Sequence, residues 1–144
     1  KFLFSVTFAK HPINSYLAQK VTLPDTEVEV VTHGDINRDV KTAGRVTVGD
    51  LVIEKLCTTS GSDTWVWDWI AACQDMIAGG GLVPSEYWET ITVNELAEDG
   101  VSVLNTWILD EVWPKKINGL ELDRTASDNT IEHVEFAVGT CDKL

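Results

Sequence analysis

Apolar and polar residues alternate at the start of the chain, with Phe2, Phe4, Val6 and Phe8 on one face and Leu3, Ser5 and Thr7 on the other. A period of two marks a half-buried β-strand. After a turn around His11-Pro12-Ile13-Asn14, β-prone sequence resumes at Val21-Thr22-Leu23 and at Glu27-Val28-Glu29-Val30-Val31-Thr32, where Glu27 and Glu29 face opposite to Val28 and Val30. From His33 to Gly44 the alternation is lost and Gly, Asp, Asn, Arg and Lys collect, which predicts a long polar loop. Unstructured loops of about a dozen residues are uncommon in small domains and tend to carry function. The β pattern returns at Arg45-Val46-Thr47-Val48, is expected to turn tightly at Gly49-Asp50, and continues from Leu51 to Leu56.

One segment has a helical period. Val66, Trp69, Ile70, Cys73, Met76 and Ile77 recur at spacings of three and four, Ser62, Asp63 or Thr64 can cap the start, and Gly79-Gly80-Gly81 ends it. The spacing predicts a helix of about four turns. Trp65 and Trp69 share one face of it and Trp67 points nearly opposite, so the helix calls for packing partners on more than one side. Strand pattern follows at Glu89–Leu96, with an acidic turn at Glu98-Asp99-Gly100 and a return strand from Val101 to Val112. Trp113-Pro114 is expected to close that strand, because proline cannot donate to a ladder, and Asn118-Gly119 to make the next turn. In a last strand from Thr130 to Val138, Glu132, Val134, Phe136 and Val138 share one face and Ile131, His133, Glu135 and Ala137 the other. The pattern yields about seven or eight strands around a single helix.

A length of 144 residues suits one domain, 1–144. The 23 Asp+Glu against 11 Lys+Arg give a formal net charge of −12, which excludes a surface that grips nucleic-acid phosphates. The acid serves solubility, or a wall past which DNA slides without sticking. Cys57, Cys73 and Cys141 show no metal-ligand spacing and read as buried thiols, with Cys141 the best placed of them for an inter-subunit disulfide. No apolar run is long enough for a membrane span or a signal peptide, so no membrane is expected as a partner.

Catalytic chemistry has no local signature. His11, His33 and His133 show no His-x-x-x-His spacing and no adjacent nucleophile motif, and His133 with Glu135 on one strand face reads as cross-strand contacts. The triple glycine follows a helix, the wrong order for a phosphate-cradling loop. Asp35-Ile36-Asn37-Arg38-Asp39 matches the first ligand positions of a calcium loop, but Val40 and Val46 stand where that loop needs Gly and Glu. No cofactor or metal is expected. The alternating charges Asp35, Arg38, Asp39, Lys41 and Arg45 fit ion pairing with a second copy of the chain, or a solvated loop. Six tryptophans are many for this length and fit cores and interfaces alike.

Four stretches in order carry a resemblance: Gly44-Arg45-Val46-Thr47-Val48-Gly49-Asp50-Leu51-Val52-Ile53, Trp67-Asp68-Trp69-Ile70, Trp107-Ile108-Leu109-Asp110-Glu111-Val112-Trp113-Pro114-Lys115, and Ser127-Asp128-Asn129-Thr130-Ile131-Glu132. From about residue 27 onward the chain resembles the tail tube family of contractile phages. The resemblance implies a mostly-β fold of two packed antiparallel sheets, sandwich or barrel, with one flanking helix. It implies hexameric rings stacked into a tube around a continuous β-barrel, in the virion, with assembly in the host cytoplasm. Its partners would be further copies of the chain, the sheath, tape-measure, baseplate and neck proteins, and DNA passing through the lumen unbound. By that similarity Asp35, Asn37, Arg38, Asp39, Lys41 and Arg45, in the His33–Arg45 loop, would contact the adjacent ring, and Glu27, Glu29, Glu132 and Glu135 would compete for the lumen. An inner-tube protein of a type VI or extracellular contractile injection system is the alternative, and a carbohydrate-binding β-sandwich a more distant one. None of these is an enzyme.

Overall fold

The structure, a computed structural model, describes residues 3–10, 18–56, 65–118 and 131–144, with all their side chains except those of residues 18, 19, 55, 56, 131 and 132. The turn at His11–Asn14, Cys57, the helix-capping residues Ser62–Thr64, Gly119, the Ser127–Thr130 stretch and the Glu132 side chain lie outside the described residues.

In chain order the elements are β1 (Leu3–Phe8), β2 (Ala18–Thr22), β3 (Thr26–Gly34), β4 (Asp39–Val48), β5 (Leu51–Leu56), α1 (Trp65–Cys73), α2 (Pro84–Tyr87), β6 (Glu89–Leu96), β7 (Val103–Ile117), β8 (Ile131–Ala137) and β9 (Thr140–Lys143). All pairings are antiparallel. The strands follow the order β1-β6-β7-β8-β5-β2, β9 adds to β7, and β3 and β4 pair only with each other. The first strand behaves as its alternation demands: Val6 and Phe8 are buried while Leu3 and Thr7 are exposed.

β7 joins the two sheets. Its first part pairs with β6 and β9, and from Trp113 to Ile117 it pairs with β8. At the changeover Glu111 takes a left-handed backbone (φ 56°), and a Cβ on Gly139 would lie 2.3 Å from Glu111 Oε2. A left-handed residue opposite a glycine is the geometry of a bulge, which bends a strand and re-aims it. The expected stop at Trp113-Pro114 is therefore corrected. Pro114 is buried within β7, beside a register shift between Pro114 and Lys116, where the ladder is already irregular and tolerates a missing donor.

The core lies between the sheets. Val6, Phe8, Ile91, Val93, Leu109 and Val112 come from the β1-β6-β7-β9 side, Leu51, Ile53, Val134 and Phe136 from the β2-β5-β8 side, and Val66 and Trp69 from α1. Phe8 packs edge-on against Trp65 at 5.1 Å between centroids, and Trp69 stands 5.6 Å from Phe136. Trp65 and Trp69 of α1 thus cap the aromatic end of the core. Among the described residues no ladder joins β1 to β2, so the chain alone forms no closed barrel.

The helical region departs from its periodicity. α1 has nine residues, and Met76 and Ile77 are 84% and 94% exposed, outside the helix. Asp75 ends it: its Oδ1 accepts from the Ile77 and Ala78 amides at 2.9 and 3.2 Å, an Asx turn that competes with helical bonding. The chain then folds back, the Leu82 amide donating to Ala72 O at 2.8 Å. Gly81 makes the return possible, since a Cβ there would lie 2.3 Å from Cys73 O. A second helix, α2, opens on Pro84, which suits a first helical turn, and is too short for its period to register.

Candidate assembly surfaces

The His33–Gly44 stretch is not a loop. His33 and Gly34 end β3, Asp39 to Gly44 begin β4, and only residues 35–38 turn, closed by the Asp35 amide donating to Arg38 O at 2.9 Å. Asp35 Oδ1 also accepts from the Ile36 amide at 2.7 Å. Polar residues mislead here because every residue of β3 is exposed, so neither face is forced to be apolar.

The Gly49-Asp50 hairpin turn is likewise corrected. β4 pairs with β3 and β5 with β2, so the chain runs straight through this dipeptide. Lys20 lies opposite Glu54, Thr22 opposite Val52, Thr26 opposite Val48 and Val28 opposite Val46, one register throughout. The Gly49 amide donates to Asp25 O at 2.8 Å, bridging the interval in which Pro24 lacks a donor. β2-β3 and β4-β5 are therefore one long antiparallel ribbon, rooted in the core at Leu51 and Ile53 and projecting beyond it as an arm. The nine residues of β3 span about 30 Å at about 3.3 Å per residue.

The two faces of the arm differ. Val28 faces Val46 and Val30 faces Ala43, and these valines are 47%, 58% and 60% exposed for Val28, Val46 and Val30. Glu27 and Glu29 alternate with them and lie on the other face. Between Val28 and Val30 the register shifts, leaving Gly44 and Arg45 bulged opposite Glu29, where a Cβ on Gly44 would stand 3.1 Å from Val31 Cγ2. Of the polar set expected to contact the next ring, Asp35, Asn37 and Arg38 sit in the turn, Asp39 and Lys41 on β4 beside it, and Arg45 apart at the bulge. Among the described residues none of these charges forms an ion pair.

A second polar surface is the outer face of β5 and β8. Ile53, Val134 and Phe136 point inward, so Glu54, His133 and Glu135 point out. His133 Nδ1 lies 3.3 Å from Glu54 Oε1 and Nε2 lies 4.0 Å from Glu135 Oε1. Glu135 is thus in company, whereas Glu27 and Glu29 stand on the arm. Glu54 was missed by sequence reading, which offers no signal for which strand lies beside β8. At the rim of this sheet Lys115 Nζ meets Asp50 Oδ2 at 2.6 Å, a hydrogen bond that raises the lysine pKa. Cys141 on β9 is half-buried against the core, and burial together with Asp142 raises its thiol pKa. Among the described residues no group of His, Cys, Asp and Glu is arranged to hold a metal ion, and no helix is long and apolar enough to cross a membrane.

A family model described as "T4-like virus tail tube protein gp19" matches residues 1–141. A comparison with curated protein sequences gives no match. Among solved structures, the anti-feeding prophage cap (AFP tube terminating cap) superposes with a TM-score of 0.80 at 15% identity, covering 98% of this chain and 87% of that one. The sheath-tube complex of the extracellular contractile injection system PVC, in its extended state, gives 0.78 at 15% identity, over 98% and 87%. Hcp1 from Flavobacterium johnsoniae gives 0.61 at 16% identity, over 99% and 94%. At these identities the likeness shows the fold, two antiparallel sheets of the Hcp type, with two helices where one was expected.

Proposed function

The chain belongs to the T4-like tail tube protein family, structural proteins rather than enzymes, and from that premise we propose how it builds a tube. Copies join into hexameric rings, rings stack into a phage tail tube, and the genome passes through the channel without being bound. The arm carries this reading. A ribbon about 30 Å long, exposed on both faces and bearing a stripe of half-exposed valines, has no role in a lone subunit but suits an interface between copies.

Energetics choose which face is covered. Burying what is still exposed of Val28, Val30 and Val46 contributes about 1 kcal/mol each. Covering Glu27 and Glu29 instead would cost several kcal/mol per carboxylate without a partnered cation. The valine face therefore meets the neighbouring copy, and Glu27 and Glu29 stay in water, toward the channel. The polar residues at and beside the turn, Asp35, Asn37, Arg38, Asp39 and Lys41, reach the next ring, with Arg45 nearer the root. Glu54 and Glu135 form the polar wall of the sheet from which the arm grows. Sheath and baseplate proteins enclose and anchor the tube, as the names of the similar sheath-tube and baseplate structures encourage; tape-measure and neck proteins would be met in the channel and at the tube's end. We place assembly in the host cytoplasm.

Negative-stain microscopy of the purified chain tests this. Rings or tubes are expected, and particles that stay monomeric at every concentration and salt, with no rings in virions or lysates, refute it. The similar injection-system tubes support a second reading, an injection-system tube, which gains if the neighbouring genes encode an ATPase and effectors without a capsid.

A further inference from the structure

The turn that follows α1 carries apolar surface that neither the core nor the arm uses. Met76 and Ile77 stand almost wholly in water, and Leu82 and Val83, where the chain folds back, are exposed as well. Single exposed apolar side chains are ordinary, but four on one short turn make a patch of the kind that marks a contact site. The turn is also fixed. Besides the two bonds to Asp75 Oδ1, the Asp75 amide donates to Gly80 O at 2.7 Å and the Gly79 amide to Asp75 O at 2.9 Å. Met76 and Ile77 are therefore held out ready for a partner, with little backbone left to order on binding.

A concave counterpart lies beside the start of β1. There a groove of about 360 Å³ is walled by Leu3, Phe4, Val21, Leu23, Val93 and Trp107. At its rim Leu3, Leu96 and Val103 stand side by side across β1, β6 and β7. The charges beside it are already engaged: Glu95 Oε2 accepts from Asn105 Nδ2 at 2.9 Å, and Lys143 Nζ lies 5.6 Å from the centre of the Trp107 ring. No residue of α1 or of its turn lines the groove. α1 packs on Phe8 instead, about 13 Å from Phe4 along β1 at about 3.3 Å per residue.

Charge pairs the two surfaces. With 24% of its residues charged and a net charge of −12, the chain repels its own copies over most of its surface. Two stretches of the sequence escape this. Met76 to Ser85 holds the turn and no charge, and Gly100 to Leu109 holds Val103 and Trp107 of the groove and no charge. Copies can meet closely there, one surface convex and the other concave, without burying an unpaired carboxylate. We propose that Met76 and Ile77 of one copy enter the groove beside β1 of the next copy around the ring. The proposal rests on the tube reading and deepens it, because a closed ring of identical copies needs two different surfaces on each subunit, each meeting the other.

The photo-cross-linking residue benzoylphenylalanine is placed at Ile77 or, as a control, at Ile36 of the arm turn, both of them 94% exposed. Rings of the full chain are irradiated and the joined peptides mapped. From position 77 the cross-links should run between copies to the segments holding Leu3–Phe4, Val21–Leu23 or Val103–Trp107, and from position 36 they should not. Met76→Ser with Ile77→Ser should raise the concentration needed for ring formation about a hundredfold, the effect of losing two covered apolar side chains, while the melting temperature of the dilute subunit stays within about 2 °C. Undiminished rings in that variant, cross-links from 77 that fall elsewhere, or the same groove peptides from both positions overturn this contact and leave the tube standing. So does a fall in melting temperature, which would make the two residues part of the subunit's own fold. A chain that forms neither rings nor dimers at any concentration refutes the tube, and this contact with it.

Discussion

Replacing Val28 and Val46 together by threonine separates assembly from folding. The two lie opposite each other on one face of the arm, 47% and 58% exposed, so the lone subunit draws little from them. Threonine keeps the β-branched shape and strand propensity, leaving the ribbon intact. Covered by a neighbour, each hydroxyl would sit where a methyl had been, at about 1–3 kcal/mol without a hydrogen-bond partner. An arm thus loses about 2–6 kcal/mol, at least about 30-fold in the association constant of each contact. Sedimentation velocity over a concentration series, beside a thermal melt of the dilute subunit, reads both quantities. The midpoint for ring formation should move by at least that factor while the melting temperature stays within about 2 °C. Undiminished ring formation refutes the valine face as an interface, and a collapsed melting temperature refutes the claim that the arm is independent of the core.

Two further outcomes follow from close approaches and burial. Gly81→Ala puts a methyl against Cys73 O, 2.3 Å away, and should lower stability by about 2 kcal/mol or more in denaturant unfolding, whereas Gly79→Ala and Gly80→Ala meet open space and should cost only their left-handed backbones, about 1 kcal/mol each. Cys141 has a raised thiol pKa, so its proton is held more tightly in the folded chain: the stabilisation is complete below the unfolded thiol's pKa and fades as pH rises through the folded one. Alkylation of Cys141, followed by peptide mapping at pH 8, should be slow until the chain is unfolded, and assembled tubes should run as monomers on gels with and without reductant; a dimer band that disappears with reductant, and is lost in Cys141→Ser, would instead support the inter-subunit disulfide.

Where one face of an element was buried, the sequence was readable. Val6 and Phe8 against Leu3 and Thr7, and Val134 and Phe136 against His133 and Glu135, alternate because a core lies on one side only. The arm failed for the opposite reason: with both faces in water, Asp39 to Gly44 are free to be polar and still pair as a strand. The helix was overextended because Met76 and Ile77 keep the right spacing by coincidence, while Asp75 beside them carries the stop that the apolar count ignored. Pro114 looked like an end because a proline rule applies to a regular ladder, and Glu111 had already made this one irregular. Of the surface residues, the acidic and charged positions are visible as such in the sequence, while their roles in a tube are what the resemblance implies; the valine stripe looked like core and Glu54 had no visible neighbour, since pairing across strands is a property of the fold.

The single register that runs from Lys20–Glu54 to Val28–Val46 has a mechanical side. Ladder bonds lie perpendicular to their strands. A pull along the arm therefore loads them in shear and in parallel, so that many must yield together, whereas a sideways pull at the turn would open them one after another like a zip. If neighbouring rings hold the arm along its length, axial tension on a tail is carried straight to Leu51 and Ile53 in the core of each subunit. Bending strain concentrates instead where Pro24 and Gly49 leave the ladder thinnest, which makes that joint the place where a stack of rings can flex without coming apart.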